Sequence, residues 1–290
     1  MENDVYGLYA TNRTLNYTEY KFQDNAKFNE VFKEFDSFML REDLYISPAY
    51  AESNLVDTYY ADALLNTLNI KSNSDIGKYC LVNKNNILES DPLNIYYYLQ
   101  LLQRNDLLRI LETEEKKIAK KLQSTLQILI NDKENTNINL PEINGCIKSL
   151  KILKENIKIS NDAFKDILKN FSRNSNLQQE VYDLNKLVEF IFLVSPNNKN
   201  TLQEHCKQLE KQLLKLSASN ASNKIMLQSM SLDIFKNTNY NISTELQLIV
   251  IKTLIQAQDC SGLFKGGDSN EDIINFRNTY DAIILLENLD

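Results

Sequence analysis

The segment that decides the fold is 202–216, which reads LQEHCKQLEKQLLKL. Its apolar residues recur at alternating intervals of four and three positions, at Leu202, Cys206, Leu209, Leu213 and Leu216. This spacing places the apolar side chains on one face of an α-helix and the Glu, Lys and Gln side chains on the other. The segment therefore predicts an amphipathic helix that packs one face against a protein core.

Helical periodicity of this kind extends over most of the 290 residues. It predicts clearly amphipathic helices over 24–41, 107–130, 142–157 and 201–217, and further helices over 56–70, 93–102, 161–171, 177–194, 225–235, 246–258 and 273–289. The chain has six Gly and four Pro, too few for the many turns of an all-β fold. We predict an all-α protein of eleven or twelve helices, built from helical hairpins in a single domain over residues 1–290.

Two segments, 190–194 and 246–251, are apolar around most of the helical circumference. A helix that is apolar all round must be covered by other elements on several sides. We therefore predict two concentric layers, with such helices buried inside and the amphipathic helices outside.

The composition excludes several kinds of partner and location. The formal net charge is −7, which argues against nucleic acid because phosphate binding uses a basic stripe. The densest basic stretch, 116–121, follows three glutamates and predicts a solvated helix face with Glu–Lys pairs four residues apart. No apolar run is long enough for a transmembrane segment, and the N-terminus has no apolar signal sequence. With four isolated cysteines, we predict a cytoplasmic protein, and its abundant Asn, Lys and Ile suggest a bacterial source.

Two segments of the chain resemble each other. Residues 57–68 read DTYYADALLNTL, and residues 278–289 read NTYDAIILLENL. Both contain a Thr-Tyr step, an Ala and a ladder of Leu and Ile. The second follows a loop whose glycines predict a turn with positive φ or a close backbone approach, namely Gly262, Gly266 and Gly267. A helical unit that recurs in this way indicates a solenoid or a closed toroid.

The pattern Gly-Leu-Phe-x-Gly-Gly, a short polar loop and then Thr-Tyr-x-Ala-x-x-x-Leu resembles the repeat of terpene cyclases and protein prenyltransferase β-subunits. The resemblance covers mainly residues 53–69 and 259–290. It implies an (α/α)6 toroid, in which six outer and six inner helices enclose a central cavity; an open α-solenoid is the alternative. The chain lacks the D-x-D-D tetrad of the cyclases, and Tyr59 stands where the prenyltransferases have a zinc-binding Cys. His205 is the sole histidine, so we expect neither a metal nor another cofactor.

Aromatic residues on the repeat helices and on the Tyr96–Tyr98 triplet are the candidates for the wall of a ligand cavity. They are Tyr59, Tyr60, Tyr97, Phe276 and Tyr280. The alternative is that these rings pack between helices, with each hydroxyl on a hydrogen-bond partner.

Three carboxylates on the same apolar helices are candidates for a general acid: Asp57, Asp62 and Asp281. Apolar surroundings favour the protonated form that a general acid needs, whereas helix capping or hydroxyl partners would give these residues a structural role. We expect a protein without the family's chemistry that binds an apolar small molecule or peptide in the cavity. The alternatives are a divergent isoprenoid cyclase that uses one of these Asp residues, and a helical-repeat scaffold that binds a partner protein.

Overall fold

The computed structural model describes residues 39–40, 44–45, 55–67, 76–131, 138–171, 176–216, 224–258 and 276–289. Eleven α-helices make up nearly all the regular structure of these residues, which confirms the all-α class. Two short strands, β1 (Met39–Leu40) and β2 (Leu44–Tyr45), form an antiparallel pair. The predicted helix over 24–41 is therefore wrong at residues 39–40, whose backbone pairs with β2, and residues 24–38 lie outside the described part of the chain.

The described helices form two compact units. The first contains α1 (Leu55–Thr67), α2 (Ile76–Glu89), α3 (Pro92–Arg104), a 3-10 helix (Leu108–Leu111), α4 (Glu115–Asn131), α5 (Leu140–Ile152) and α6 (Asn161–Asn170). The second contains α7 (Leu177–Val194), a 3-10 helix (Pro196–Leu202), α8 (Gln203–Leu216), α9 (Lys224–Asn237), α10 (Thr244–Ala257) and α11 (Phe276–Leu289). The single domain and its closure into a toroid or solenoid stay predictions.

Polar side chains fix the start of several helices. Asp91 accepts hydrogen bonds from the backbone N–H groups of Leu93 and Asn94, and Pro92 occupies the first turn of α3, as the sequence predicted. The helices α6, α7 and α10 begin in the same way after Ser160, Asn176 and Ser243. Because these caps satisfy N–H groups that would otherwise lack partners, the predicted starts of α3, α6 and α7 agree with the structure to within a residue.

Three helices, α3, α5 and α9, are each followed by a residue with positive φ two positions after their last residue, namely Asp106, Lys154 and Asn239. In each case the next N–H group bonds to a carbonyl five residues back, as in Glu155 to Leu150 at 2.9 Å. Glycine usually takes this position, and the chain has few. The end at Lys154 explains why α5 stops at Ile152 rather than 157. The predicted helix 107–130 is divided into a 3-10 helix and α4, with a turn over residues 112–114 between them.

Helix α3 is the centre of the first unit, where it packs on α1, α2 and α5. Tyr98 of α3 is fully buried, and its hydroxyl donates a hydrogen bond to the Cys80 carbonyl at 2.9 Å. Helix α5 crosses the start of α3 at Gly145, where a Cβ atom would lie 2.9 Å from the Pro92 carbonyl carbon and from the Leu93 nitrogen. The absence of a side chain at Gly145 therefore sets how closely these two helices approach.

The charged face predicted on α4 is exposed at Lys116, Lys117 and Lys120, in agreement with the sequence analysis. Two ion pairs link this region to α2: Lys84 of α2 lies 2.9 Å from Glu114, which is in the turn before α4, and Lys121 of α4 lies 3.6 Å from Glu89 of α2. Of the helices that the structure describes, none combines the length and hydropathy that crossing a bilayer requires.

Helix α9 is the centre of the second unit and contacts α7, α8, α10 and α11. The prediction that the apolar segments of α7 and α10 are covered on several sides is wrong. Helix α10 packs one face inward through Leu246, Val250 and Leu254, but its opposite face leaves three large side chains exposed: Leu248, Ile251 and Ile255. Phe192 of α7 is exposed as well.

A buried carboxylate, Glu210 of α8, holds the start of α10. It accepts hydrogen bonds of 2.7 Å from the Tyr240 hydroxyl and from the backbone N–H of Ser243. Burial alone would raise the pKa of Glu210, but these hydrogen bonds outweigh it and the pKa lies below its usual value. The ionised form of Glu210 is therefore the one that the fold favours.

Replacing Glu210 with glutamine is expected to lower the free energy of unfolding by about 1–2 kcal/mol at pH 7. A carboxylate whose pKa is lowered by folding stabilises the protein above its unfolded pKa, and this contribution disappears as pH falls through the folded pKa. The difference between wild type and Glu210→Gln should therefore shrink as the pH is lowered below about 4. Urea unfolding at a series of pH values measures it. Tyr240→Phe removes one of the donors to Glu210, so its loss of stability should depend on pH less than that of Glu210→Gln. A loss in Glu210→Gln that is equal at all pH values would contradict the stabilising role of the ionised Glu210 carboxylate.

Candidate functional site

Four half-buried tyrosines come together where α1 meets α3 in the first unit. Tyr59 and Tyr60 belong to α1, whereas Tyr96 and Tyr97 belong to α3. The ring centroids of Tyr59 and Tyr97 are 5.0 Å apart, those of Tyr59 and Tyr60 are 5.1 Å apart, and those of Tyr96 and Tyr97 are 5.5 Å apart. These distances are typical of attractive aromatic pairs. We call these four residues the tyrosine cluster.

Two cations lie over rings of the tyrosine cluster. The Arg104 guanidinium carbon is 4.7 Å from the centroid of the Tyr59 ring, and the Lys148 Nζ atom is 4.8 Å from the centroid of the Tyr96 ring. Arg104 is the last residue of α3, and Lys148 lies on α5. The cluster thus presents aromatic faces and positive charge together, within a chain whose net charge is negative.

Asp62 positions the Arg104 side chain. The two side chains form an ion pair at 2.8 Å, in which the Asp62 side chain is 3% exposed. The Asp62 carboxylate also accepts from the side-chain amides of Asn105 and Asn66, both at 3.1 Å. Arg104 donates in addition to the Tyr59 carbonyl at 3.1 Å, through the same Nη1 atom. In the described part of the chain, these hydrogen bonds use Nη1 and none is made by Nε or Nη2 of Arg104.

The structure brings together three of the five aromatic residues predicted to line a ligand cavity, namely Tyr59, Tyr60 and Tyr97. Tyr280 lies in the second unit on α11, and the side chain of Phe276 lies outside the described residues. The predicted glycine loop with Gly262, Gly266 and Gly267 is also outside them. The packing alternative holds for Tyr98, which is buried with its hydroxyl bonded.

Arg104 and Lys148 were not predicted as members of the site, and Tyr97 was the residue of the Tyr96–Tyr98 triplet predicted to line it. Arg104 lies seven residues, or two helical turns, after Tyr97 on α3. A helical projection of 96–104 would therefore have placed Arg104 on the same face of the helix as Tyr97. Lys148 comes from α5, and no local pattern brings α5 to α3.

The three candidate acids Asp57, Asp62 and Asp281 are all buried. Asp57 lies in the first turn of α1, where a carboxylate interacts favourably with the helix dipole. Asp62 is committed to the ion pair with Arg104, and Asp281 belongs to the second unit. A proton-donating role for any of them stays a prediction.

The cysteines in the described part of the chain belong to the core. Cys80, Cys146 and Cys206 are buried and form no disulfide. Burial, with a smaller contribution from a nearby carboxylate, raises the pKa of Cys80 and of Cys146 to about 12, so neither thiol is a ready nucleophile. Within the described ranges, no three His, Cys, Asp or Glu side chains group together as metal ligands.

Comparisons with protein-family models, with curated proteins and with solved structures find no match for this chain. The resemblance to terpene cyclases and prenyltransferase β-subunits therefore stays a prediction, and the function has to be inferred from the site itself.

Proposed function

We propose that this chain is a binding protein that takes a peptide segment with aromatic and acidic side chains onto the tyrosine cluster. The observation that carries the proposal is the contact of Tyr59, Tyr60, Tyr96 and Tyr97 beneath two cations. Of the two predicted ligands, an apolar small molecule or a peptide, we favour the peptide, because Arg104 and Lys148 favour a partner that also carries negative charge.

Tyrosine and arginine are the residues that binding surfaces use most. Tyrosine offers a large contact area and a hydroxyl at little cost in conformational entropy, and tyrosine and arginine are enriched among residues whose truncation costs most affinity. Packing against neighbouring rings restricts each side chain of the tyrosine cluster further. A partner would therefore meet a surface that is already ordered.

The charges define the acidic part of the partner. Arg104 has two nitrogen atoms that hydrogen-bond to nothing in the described residues, and a guanidinium binds a carboxylate with two parallel hydrogen bonds. Asp62 fixes the Arg104 side chain before the partner arrives, so less freedom is lost on binding. We therefore expect a Glu or Asp of the peptide on Arg104 and an aromatic side chain on Tyr97.

A displayed library of random twelve-residue peptides, selected on the purified full chain, tests the proposal. Peptides selected on wild type are expected to be rich in aromatic and acidic residues, and to be lost when the target carries Tyr60→Ala and Lys148→Glu. Tyr182→Ala is the matched control, because Tyr182 of α7 also has a lysine over its ring, at 5.6 Å, but stands outside the cluster. Circular dichroism of each variant verifies that it is folded.

Selection of peptides with no aromatic or acidic preference, or equal retention by all variants, would overturn the proposal.

A second candidate function is that of an isoprenoid cyclase, and the burial of Asp57 and Asp281 favours it. Turnover of a polyprenyl diphosphate that is lost in Asp57→Asn or Asp281→Asn would favour that candidate instead. The proposal keeps the predicted cytoplasmic location, where cysteines stay reduced.

A further inference from the structure

The exposed face of α10 carries an apolar stripe. Leu248, Ile251 and Ile255 are 62%, 42% and 69% exposed, and we call these three residues the α10 stripe. Their spacing of three and then four residues puts them on one side of the helix. It is also the spacing of the contact positions in a pair of α-helices that coil around each other. Large apolar residues aligned in this way on a soluble surface mark a contact with another molecule.

Two exposed charges flank the α10 stripe on the same side. Glu245 lies three residues before Leu248, and Lys252 lies three residues before Ile255. In the heptad numbering of a coiled coil, Leu248, Ile251 and Ile255 occupy the central a and d positions. Glu245 and Lys252, which are seven residues apart, both occupy the flanking e position. Charges at such flanking positions set the partner and the orientation of a helix pair.

The pattern is self-complementary when two copies of α10 run antiparallel. With the two-fold axis between residues 249 and 250, Leu248 of one copy lies opposite Ile251 of the other, and Ile255 lies opposite Thr244. In the same register, Glu245 of each copy flanks Lys252 of the other, so two identical ion pairs form. In a parallel pair, Glu245 would lie at the same height as Glu245 of the second copy, and Lys252 at the same height as Lys252. Neither ion pair would then form.

We propose that two copies of this chain associate through antiparallel contact of their α10 stripes, in the register that pairs Glu245 with Lys252 of the second copy. A two-fold contact of this kind uses the same surface on both copies and closes without further growth.

The surroundings of α10 support this occupant. The hydrogen bonds of Glu210 and Ser243 hold the start of the helix, so the stripe is presented on a fixed element. The pKa of Lys224 is lowered, first by burial and then by repulsion from the positive charge of Lys252. A carboxylate from a second copy would relieve this repulsion.

One helix pair covers less surface than the 1,200–2,000 Å² of a standard interface, so we expect a weak dimer with a dissociation constant of roughly 10–100 µM. Sedimentation velocity of the full chain over roughly 1–500 µM measures it. The wild-type sedimentation coefficient is expected to rise with concentration. A wild type that stays monomeric over this range would overturn the proposal.

The charge pairing gives a test that depends on the register. Glu245→Lys and Lys252→Glu each bring like charges together twice, and each alone is expected to weaken association at least about 10-fold. An equal mixture of the two variants restores both ion pairs between unlike chains, so heterodimers should form with near wild-type strength. Both substitutions are on exposed side chains, and the restored association in the mixture would also show that each variant is folded.

Leu248→Lys is expected to abolish association, and Leu81→Lys is the matched control. Leu81 of α2 is 58% exposed, similar to Leu248, but it belongs to the first unit. Retained association in Leu248→Lys, or a mixture that behaves like its separate variants, would overturn the α10 stripe as the contact between copies. An equal loss of association in Leu81→Lys would also overturn the α10 stripe as the contact between copies.

Discussion

Replacing Asp62 with alanine is expected to lower the free energy of unfolding of the first unit by about 2–4 kcal/mol. The substitution leaves the partly buried Arg104 guanidinium without its carboxylate and removes one of the two acceptors of each side-chain amide of Asn66 and Asn105. Removing one partner of a buried ion pair costs much more than the pair itself contributes. Urea unfolding followed by circular dichroism measures the loss.

Glu89→Ala is the matched control for Asp62→Ala. Glu89 pairs with Lys121 at 3.6 Å, but its side chain is 77% exposed, so we expect a change below about 1 kcal/mol. Equal effects of the two substitutions would show that burial does not set the strength of the Asp62 pair. Asp62→Ala should also weaken peptide binding, because Arg104 would lose the group that positions it over Tyr59.

Replacing Gly145 with alanine is expected to destabilise the first unit by about 1–3 kcal/mol. The added methyl group would lie 2.9 Å from the carbonyl carbon of Pro92 and 3.0 Å from its oxygen, and these backbone atoms cannot rotate away. Alanine is the better helix former by about 1 kcal/mol, so a net loss shows that the contact between α3 and α5 outweighs helix propensity. Thermal and urea unfolding of the variant show whether its free energy of unfolding falls or rises relative to wild type.

Lys151→Ala is the control for Gly145→Ala, since Lys151 is exposed on the same helix and its replacement should change stability by less than about 0.5 kcal/mol. A stabilised Gly145→Ala protein would contradict the close approach of α5 to α3. Lys148 lies one turn from Gly145 on α5, so a shift of this helix should also move the cation over Tyr96.

The all-α class and most helix positions follow from the sequence because they depend on local rules. The apolar period of 202–216 and the cap formed by Asp91 and Pro92 act within a few residues of each other. The positive φ at Lys154 was not predictable in this way, because lysine gives no signal for it. The prediction of continuous coverage failed for α10, whose composition does not reveal how many of its faces meet other helices.

Three of the five aromatic residues predicted to line a ligand cavity are in contact in the structure, and their role in binding stays a prediction. The triplet at 96–98 and the repeat at 57–68 pointed to Tyr59, Tyr60 and Tyr97, and the structure brings these rings together. The helical spacing of 96–104 places Arg104 near the triplet, but its contact with Tyr59 depends on the packing of α3 on α1. No local pattern brings Lys148 to the rings, because it reaches them through the packing of α3 on α5. Gly145, which sets the second of these contacts, gives no sequence signal of its own inside a helical segment.

Calorimetric titration of the most strongly selected peptide into the wild-type chain and its variants tests the role of the tyrosine cluster most directly. We expect Tyr97→Ala to weaken binding by at least about 30-fold, as for a residue that contributes centrally to an interface, and Lys148→Glu to weaken it by about 10-fold. Tyr182→Ala should change the dissociation constant by less than about 2-fold. Equal affinities of wild type, Tyr97→Ala and Lys148→Glu would contradict the tyrosine cluster as the binding site.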